Sequence, residues 1–139
     1  MGETRKRRDK GFSLMELLVA LVILALIIGL VGPQVMGYLG RARSQSADVQ
    51  IANMKAGLNL FMIDVGRYPN ADEGLKALTE APADPTRWRG PYLAEDRLPL
   101  DPWGREFRYE LTADGMKPRI YSLGADDAPG GEGENADIG

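Results

Sequence analysis

The sequence predicts an α+β fold in which a long N-terminal helix packs on a small antiparallel β-sheet. Three observations lead to this prediction. An uncharged apolar run extends from Leu17 to Gly40, an amphipathic stripe continues directly from it, and two short alternating segments follow a proline-rich stretch. We therefore expect a cleavable leader over residues 1–11, a membrane-spanning half of the helix over 12–40, and an exported globular domain over 41–139.

The first eleven residues combine a basic head with one well-placed small residue. Five bases precede the apolar run: Arg5, Lys6, Arg7, Arg8 and Lys10. An ordinary secretory signal has its small-residue cleavage site behind the apolar segment, whereas Gly11 lies in front of it. Cleavage after Gly11 would remove the basic head and leave the apolar segment on the mature chain, with Phe12 as the new N-terminus.

The apolar run is long enough to cross a membrane. Its 24 residues would form a helix of about 36 Å, which exceeds the roughly 30 Å of a hydrocarbon core. An apolar run of this length is not typical of a buried helix in a soluble protein. Five bases precede the run and only Arg41 and Arg43 follow it closely. The positive-inside bias therefore predicts a cytoplasmic N-terminus and an exported C-terminal part.

The helix is expected to continue beyond the membrane. One helix from about Phe12 to Asp64 is predicted, with Gly66 ending it. Pro33 removes a backbone donor, so a kink or a locally melted stretch is expected there. Apolar residues recur at three- and four-residue steps, which is the stripe of an amphipathic helix; they are Ala47, Ile51, Met54, Leu58, Phe61, Met62 and Val65.

The middle of the chain predicts one short helix and an irregular stretch. Residues 70–79 form the short helix, capped by Asn70 or Asp72, with Leu75 and Leu78 facing inward. Four prolines exclude long helices between residues 81 and 102. The aromatic side chains of this stretch are expected to hold it against the core; they are Trp88, Tyr92 and Trp103.

Two short segments near the C-terminus predict the sheet. Glu106–Thr112 and Lys117–Ser122 alternate between apolar and polar residues, as half-buried strands do. The intervening Ala113-Asp114-Gly115 is a turn sequence, so an antiparallel hairpin is expected.

Composition excludes several classes of function. The chain has 17 basic and 20 acidic residues and neither cysteine nor histidine. Without residues 1–11 it has 12 bases and 18 acids, a net charge of −6, which argues against nucleic-acid binding. Lack of histidine removes the usual general base and most zinc sites, and lack of cysteine removes disulfides. We therefore expect no enzyme activity, and we interpret Asp101, which precedes a proline, as the cap of a turn.

Motifs along almost the whole chain resemble one known family. The Lys10–Leu17 segment resembles the class III leader of type IV pilins and pseudopilins, which a prepilin peptidase cuts after the glycine before methylating the new N-terminus. The downstream motifs resemble the major pseudopilins of the type II secretion system, the general secretory pathway protein G family. These motifs are Gly66-Arg67-Tyr68-Pro69, Glu73-Gly74-Leu75, Trp88-Arg89-Gly90-Pro91-Tyr92-Leu93, Asp101-Pro102-Trp103-Gly104 and Tyr121-Ser122-Leu123-Gly124-Ala125-Asp126.

The resemblance implies a pilin-like fold and a structural role. The expected function is the major subunit of a periplasmic fibre, the pseudopilus, which helps to drive folded proteins across the outer membrane. The implied location is the inner membrane, with one span and a periplasmic C-terminal domain. The implied partners are further copies of the chain, minor pseudopilins, the assembly platform, prepilin peptidase and membrane lipid, with no nucleic acid.

Two alternatives stay open from the sequence. The chain could be a type IV pilin or a competence pseudopilin, although type IV pilins usually carry a C-terminal disulfide and this chain has no cysteine. It could also be a monomeric membrane-anchored calcium-binding domain that never polymerises.

Glu16 places a carboxylate five residues into the mature chain. At the bilayer centre such a charge would cost about 2.5–3.5 kcal/mol, so a deep and unpaired carboxylate is disfavoured. Cleavage after Gly11 creates an amine at Phe12, about one helical turn away, and N-methylation keeps its charge. In a stack of parallel helices this amine can meet Glu16 of a neighbouring subunit; the alternative is a charge at the lipid boundary. We assign assembly roles to Glu16 and Pro33.

The C-terminal residues 123–139 are rich in glycine and acid. Five acids occur there and no base follows Arg119; by composition alone this is typical of a solvated, mobile terminus. The segment does not fit the helix–loop–helix calcium pattern. The family resemblance nevertheless implies a bound calcium ion, and the positions that match its ligands are the Asp126 and Asp137 carboxylates, the Asn135 side-chain oxygen and the Leu123 carbonyl.

Gly11→Leu is expected to block cleavage, because the larger side chain is excluded from the peptidase, while the apolar run still inserts into the membrane. Intact-mass measurement of the wild-type membrane form should show loss of residues 1–11 and gain of one methyl group. A mature N-terminus at another position, such as after Gly2, would contradict the leader assignment.

Overall fold

The computed structural model describes residues 11–112 and 116–139, and it leaves out the side chain of Pro33. Residues 1–10 and the predicted hairpin turn Ala113-Asp114-Gly115 therefore lie outside the described residues. The chain divides into two compact units, Met1–Tyr38 and Leu39–Gly139.

Helix α1 spans Leu14–Val65, a length of 52 residues. The predicted bounds of Phe12 and Asp64 are confirmed to within two residues. Ser13 caps the helix, because its Oγ accepts a hydrogen bond of 3.3 Å from the Met15 amide. The helix continues through Pro33 without a break. Of the two expectations for this proline, local melting is not present in the single chain.

The part of α1 that lies in the first unit exposes its apolar side chains. Leu14 is 84% exposed and Leu30 is 73% exposed. Among the described residues, α1 is long and apolar enough to cross a membrane, with a mean hydropathy of 3.0 over its most apolar window. None of that window is buried within the chain. This segment is therefore not a core helix of the folded chain.

The part of α1 that lies in the second unit carries the core. Its stripe is buried at Ala47, Ile51, Met54, Leu58 and Phe61. Met62 was predicted in the stripe, but it is 39% exposed because it follows Phe61 directly and so points away from the core. The rest of the unit closes over the stripe with Leu75, Ala77, Leu78, Phe107, Ile120 and Ile138.

The end of α1 and the next turn follow the sequence closely. Gly66 has a φ of +85°, a conformation that glycine adopts without strain, and its amide donates to the Met62 carbonyl at 2.9 Å. A short 3₁₀ helix then spans Gly74–Leu78. Asn70, not Asp72, precedes it in a reciprocal cap: the Glu73 amide donates to Asn70 Oδ1 at 2.8 Å.

Glu73 completes this cap and fixes the chain reversal. Its Oε2 accepts from the Asn70 amide at 2.9 Å, and its two oxygens accept from the Arg67 guanidinium at 2.5 and 2.7 Å. The bond from Arg67 holds the pKa of Glu73 below its usual value, although partial burial opposes the shift. This contribution to stability is therefore present at neutral pH and is lost as the pH falls through the lowered pKa.

The aromatic side chains hold the irregular stretch in place, as predicted. Trp88 Nε1 donates to the Ala77 carbonyl at 2.9 Å. The Tyr92 hydroxyl donates to Asp64 Oδ2 at 3.0 Å. Both aromatic residues, together with Trp103, pack against the core cluster. The described residues between 81 and 102 contain no helix, in agreement with the prolines.

The predicted hairpin is present with shorter strands. β1 spans Arg108–Leu111 and β2 spans Pro118–Tyr121, and they pair antiparallel with Arg108 opposite Tyr121. Ser122 and Ile138 then form an isolated antiparallel bridge with two hydrogen bonds of 2.9 Å each. The C-terminus therefore folds back beside the end of β2.

Leu58→Ala is expected to lower the free energy of unfolding by about 2–5 kcal/mol, because it opens a cavity in the centre of the core. Leu60 is the matched control: it lies on the same helix and is 51% exposed, whereas Leu58 is fully buried. Leu60→Ala should cost less than about 1 kcal/mol. Denaturant unfolding of both variants checks this, and equal losses would contradict the assignment of the stripe to the core.

Candidate functional site

The predicted cleavage and assembly residues lie at the exposed start of the described chain. A side chain added at Gly11 would meet nothing within 4 Å, and Phe12 is 77% exposed. Glu16 is exposed and lies in the first turn of α1, where a negative charge is favoured by the helix dipole. Among the described residues, its side chain makes neither an ion pair nor a hydrogen bond.

The spacing from Phe12 to Glu16 differs from the expected helical turn. Helix α1 begins at Leu14, so Phe12 precedes the helix. The reason is the cap at Ser13, whose hydroxyl and carbonyl oxygens take the first helical amides. Phe12 and Glu16 are therefore near each other in sequence without being stacked on one helix face.

The C-terminal loop, residues 123–139, is folded back on itself. The Ala125 amide donates to the Glu134 carbonyl at 2.8 Å, and the Asp137 amide donates to the Gly130 carbonyl at 3.2 Å. The two ends of the segment are thereby joined. The segment therefore follows a defined, folded path in the structure.

The C-terminal loop has two limbs, a first limb from Leu123 to Asp127 and a second limb from Glu134 to Ile138. Gly124 allows these two limbs to touch. It has a φ of +67°, and a Cβ at this position would lie 2.8 Å from the carbonyl oxygens of both Glu134 and Ala136. Any other residue would push the limbs apart. Gly124 directly follows Leu123, and the carbonyls it approaches belong to the residues on either side of Asn135. Leu123 and Asn135, two of the predicted ligands, are thereby brought near the same point of the loop.

The predicted metal ligands all lie in this folded loop. Asp126 Oδ1 accepts from the Ala128 amide at 3.2 Å, and Asp137 Oδ2 accepts from the Gly130 amide at 3.0 Å. Each carboxylate therefore uses one oxygen for the loop backbone, and its other oxygen accepts no hydrogen bond from the described residues. Asn135 is exposed, while Leu123 is 6% exposed and contributes its side chain to the interior.

The donor set contains oxygen alone, which suits a hard cation such as Ca²⁺. Within residues 11–112 and 116–139, no three side chains of His, Cys, Asp or Glu come together as a metal site. The four predicted ligands would supply two carboxylates, one side-chain amide oxygen and one backbone carbonyl oxygen. Calcium takes six to eight oxygens, so further carbonyls or waters would have to complete the shell.

A buried carboxylate beside the loop was not predicted as a site residue. Asp101 is 5% exposed, and its Oδ2 accepts from the Ser122 hydroxyl at 2.6 Å. Its Oδ1 accepts from the amides of Trp103 at 3.1 Å and Arg105 at 2.8 Å. The prediction that Asp101 caps a turn is confirmed, and the bond to Ser122 adds a tie to the start of the C-terminal loop.

Arginines from distant parts of the chain approach the acidic loop. The Arg105 guanidinium donates to the carbonyls of Gly124 and Ala125. Asp127 lies 3.8 Å from Arg105 Nε and 3.2 Å from Arg108 Nη2. On the other limb, Arg43 of α1 lies 3.8 Å from Glu134. Sequence reasoning missed these arginines, because their partners in the loop depend on the tertiary fold.

Comparison with protein-family models gives two matches. A model described as type II secretion system, protein G, matches residues 34–139. A model described as the prokaryotic N-terminal methylation motif matches residues 6–32. Together the two matches cover residues 6–139 except residue 33.

Known proteins resemble the chain over nearly its full length. It is 37% identical to the type II secretion system core protein G of Vibrio cholerae, over 97% of this chain and 93% of that protein. It is 38% identical to the core protein G of Pseudomonas aeruginosa, over 97% of this chain and 96% of that protein.

A solved structure shows the same fold. It is the crystal structure of the major pseudopilin from the type 2 secretion system of enterohaemorrhagic Escherichia coli, with a TM-score of 0.58 and 28% identity. The similarity covers 74% of this chain and 90% of that chain. A long N-terminal helix on a small two-stranded sheet is thus the pseudopilin fold.

Proposed function

This chain belongs to the protein G family of the type II secretion system, and we propose that it polymerises through its N-terminal helix into a periplasmic fibre. It is a major pseudopilin, the structural subunit of the pseudopilus. The relatives are core protein G of type II secretion, and this supports the secretion role over a type IV pilin or a competence pseudopilin.

The observation that carries the proposal is the contrast between the two halves of α1. The first half exposes large apolar side chains on all sides, such as Leu21 at 66% and Ile28 at 61%. Water is an unfavourable environment for this surface, whereas lipid or the helices of other copies would cover it. The second half buries its stripe under its own globular unit. A subunit of this kind can be stored in a membrane and transferred into a helical bundle.

The proposed mechanism is mechanical. Each copy waits in the inner membrane with its C-terminal unit in the periplasm, and addition of successive copies extends the fibre that helps to move folded proteins outward. The proposed partners are further copies of the chain, minor pseudopilins, the inner-membrane assembly platform and the prepilin peptidase. We propose no catalytic activity, since the chain has no histidine or cysteine and its family is structural.

Processing is proposed to convert the exposed start of the chain into an assembly signal. The peptidase would cut after Gly11 and methylate Phe12, in keeping with the methylation-motif match over residues 6–32. The new amine of one copy would then pair with Glu16 of the next. Phe12 and Glu16 are exposed in the single chain, and the new amine and the carboxylate would become buried together in the fibre, where an unpaired carboxylate is costly.

Glu16→Ala is expected to permit insertion and cleavage but to reduce fibre yield more than about tenfold, since removal of one partner of a buried pair costs about 3–5 kcal/mol. The measurement is electron microscopy of sheared fibres, together with intact mass for processing. Asp72→Ala is the control, because it removes one exposed carboxylate from the globular unit. Normal fibre length and secretion in the Glu16 variant would leave this residue as a boundary charge.

We further propose that the C-terminal loop binds one calcium ion through Asp126, Asp137, Asn135 and the Leu123 carbonyl. The support is the oxygen-only donor set and the close approach of the two limbs at Gly124. When bound, the ion would neutralise part of the charge of five acids within 17 residues. Glu132 is exposed and is proposed to stay outside the shell.

Calcium is expected to stabilise the globular unit against unfolding. A hundredfold excess over Kd adds about 2.7 kcal/mol, which for a domain of this size raises Tm by about 10 °C. The measurement is thermal unfolding of a soluble fragment spanning residues 41–139, which contains every residue of the described core, with calcium and with chelator.

Three variants locate the ion in that experiment. Asp126→Ala and Asp137→Ala should abolish the calcium-dependent shift, whereas Glu132→Ala should keep most of it. The shift is compared within each variant, so a change in baseline stability does not affect the result. Identical wild-type melting curves in calcium and chelator would reject the calcium site.

A further inference from the structure

The C-terminal loop, residues 123–139, carries negative charge that no base within the loop offsets. It contains five acids, five glycines and no base. Like charges repel at short range, and glycine loses more conformational freedom on ordering than any other residue. The structure nevertheless folds the loop back through hydrogen bonds at Ala125, Asp137 and Ile138. Cations from elsewhere in the chain approach these acids, namely Arg43, Arg105 and Arg108.

Arg105 contacts the first limb of the loop at Gly124, Ala125 and Asp127. Its guanidinium donates to the Gly124 carbonyl and, at 3.5 Å, to the Ala125 carbonyl. Its Nε lies 3.8 Å from Asp127 Oδ1. The guanidinium therefore interacts with three residues of the limb: it donates hydrogen bonds to the Gly124 and Ala125 carbonyls and lies near the charge of Asp127. Arg108 adds a second contact to Asp127 at 3.2 Å.

Asp101 fixes Arg105 in the position that these contacts need. The Asp101 amide donates to the Arg105 carbonyl at 2.7 Å, and Asp101 Oδ1 accepts from the Arg105 amide at 2.8 Å. Asp101 Oδ2 also lies 3.9 Å from Arg105 Nε. Because the Asp101 side chain is only 2% exposed, this anchor is rigid. The backbone and the side chain of Arg105 are therefore both held by one buried residue.

The same anchor reaches the loop by a second route. The Ser122 hydroxyl donates to Asp101 Oδ2 at 2.6 Å and accepts from the Gly124 amide at 3.3 Å. Gly124 is thus held at its amide through Ser122 and at its carbonyl by Arg105. These two contacts fix the peptide groups on either side of the residue at which the two limbs touch.

We propose that Arg105 is a positioning residue that ties the first limb of the C-terminal loop to the buried Asp101 and so keeps the two limbs in contact. Its guanidinium holds the Gly124 and Ala125 carbonyls and offsets part of the charge of Asp127. The consequence for metal binding, which rests on the calcium site proposed above, is that loss of Arg105 should weaken calcium binding, because the limbs that carry the predicted ligands would be held less closely.

The geometry requires arginine rather than any positive side chain. A guanidinium presents donors in a fixed fork, so it can contact adjacent carbonyls and a carboxylate at the same time. A lysine ammonium is a single point and is more strongly hydrated. Arg105→Lys should therefore reproduce the charge but lose most of the effect.

Hydrogen–deuterium exchange of the full chain in detergent, with chelator present, tests the proposal. Arg105→Gln should speed exchange in the loop peptide containing Ala125, Asp137 and Ile138 at least tenfold, whereas the peptides of β1 and β2 should lose less protection than the loop. Arg105→Lys, the milder change, should give most of the same increase. Arg119→Gln is the matched control, because Arg119 lies on β2 and stacks on the Tyr121 ring at 4.6 Å; it should leave the loop unchanged.

Two results would overturn the proposal. One is a loop that exchanges at the wild-type rate in Arg105→Gln. The other is an equal loss of protection in the loop and in both strands, which would assign Arg105 to general stability. If Arg105→Gln does not fold, Arg105→Lys decides the matter by the same two comparisons.

A second arm, with calcium chloride alone, separates this proposal from the calcium site. If both hold, saturating calcium restores loop protection in Arg105→Gln, and the variant needs about tenfold more calcium than the wild type. If calcium changes neither protein, the calcium site is rejected, whereas faster exchange of the variant in chelator still supports the role of Arg105.

Discussion

One helix has to satisfy two environments, and the rest of the structure depends on this constraint. The first half of α1 offers apolar side chains in every direction, so it needs surroundings that are apolar all round. The second half offers a stripe one side chain wide, centred on Met54 and Leu58. The elements after Gly66 are short, and together they cover that stripe. They are a 3₁₀ helix, an aromatic-rich stretch, two strands of four residues and a loop.

The elements governed by local chemistry were predictable. Apolar periodicity predicted both ends of α1 to within two residues, and glycine and asparagine at the chain reversal predicted Gly66 as terminator and Asn70 as one of two caps. Met62 was misassigned because its spacing from Leu58 also fits the stripe. The side chain buried at this turn of the helix is that of the preceding residue, Phe61, and Met62 is 39% exposed. The strands are shorter than predicted, because Glu106 and Ser122 pair outside the hairpin, with Leu100 and Ile138.

What could not be predicted is set by contacts between distant residues. Nothing local marks Ile138 as a core residue, since it lies in a segment of glycine and acid, yet it pairs with Ser122 and is 8% exposed. The same holds for Arg105, whose partners lie 19 and 20 residues further along the chain. Charge counting along the sequence found five acids with no base after Arg119 and favoured a solvated tail. The cations near those acids come from α1, from the segment before β1 and from β1 itself.

The pairing of Ile138 connects the charge of the loop to the stability of the core. Ile138 belongs to the buried cluster that covers α1, and the residues before it in the chain are those that Arg105 and the proposed calcium ion would hold in place. If the loop opens, Ile138 leaves the core, and a small domain without disulfides has few other residues to replace it. Binding of a cation to the loop would therefore affect the stability of the core through the Ile138 side chain. This coupling favours the folded loop in two ways: each fixed cation offsets local repulsion, and the burial of Ile138 offsets a small part of the entropy lost by ordering the chain.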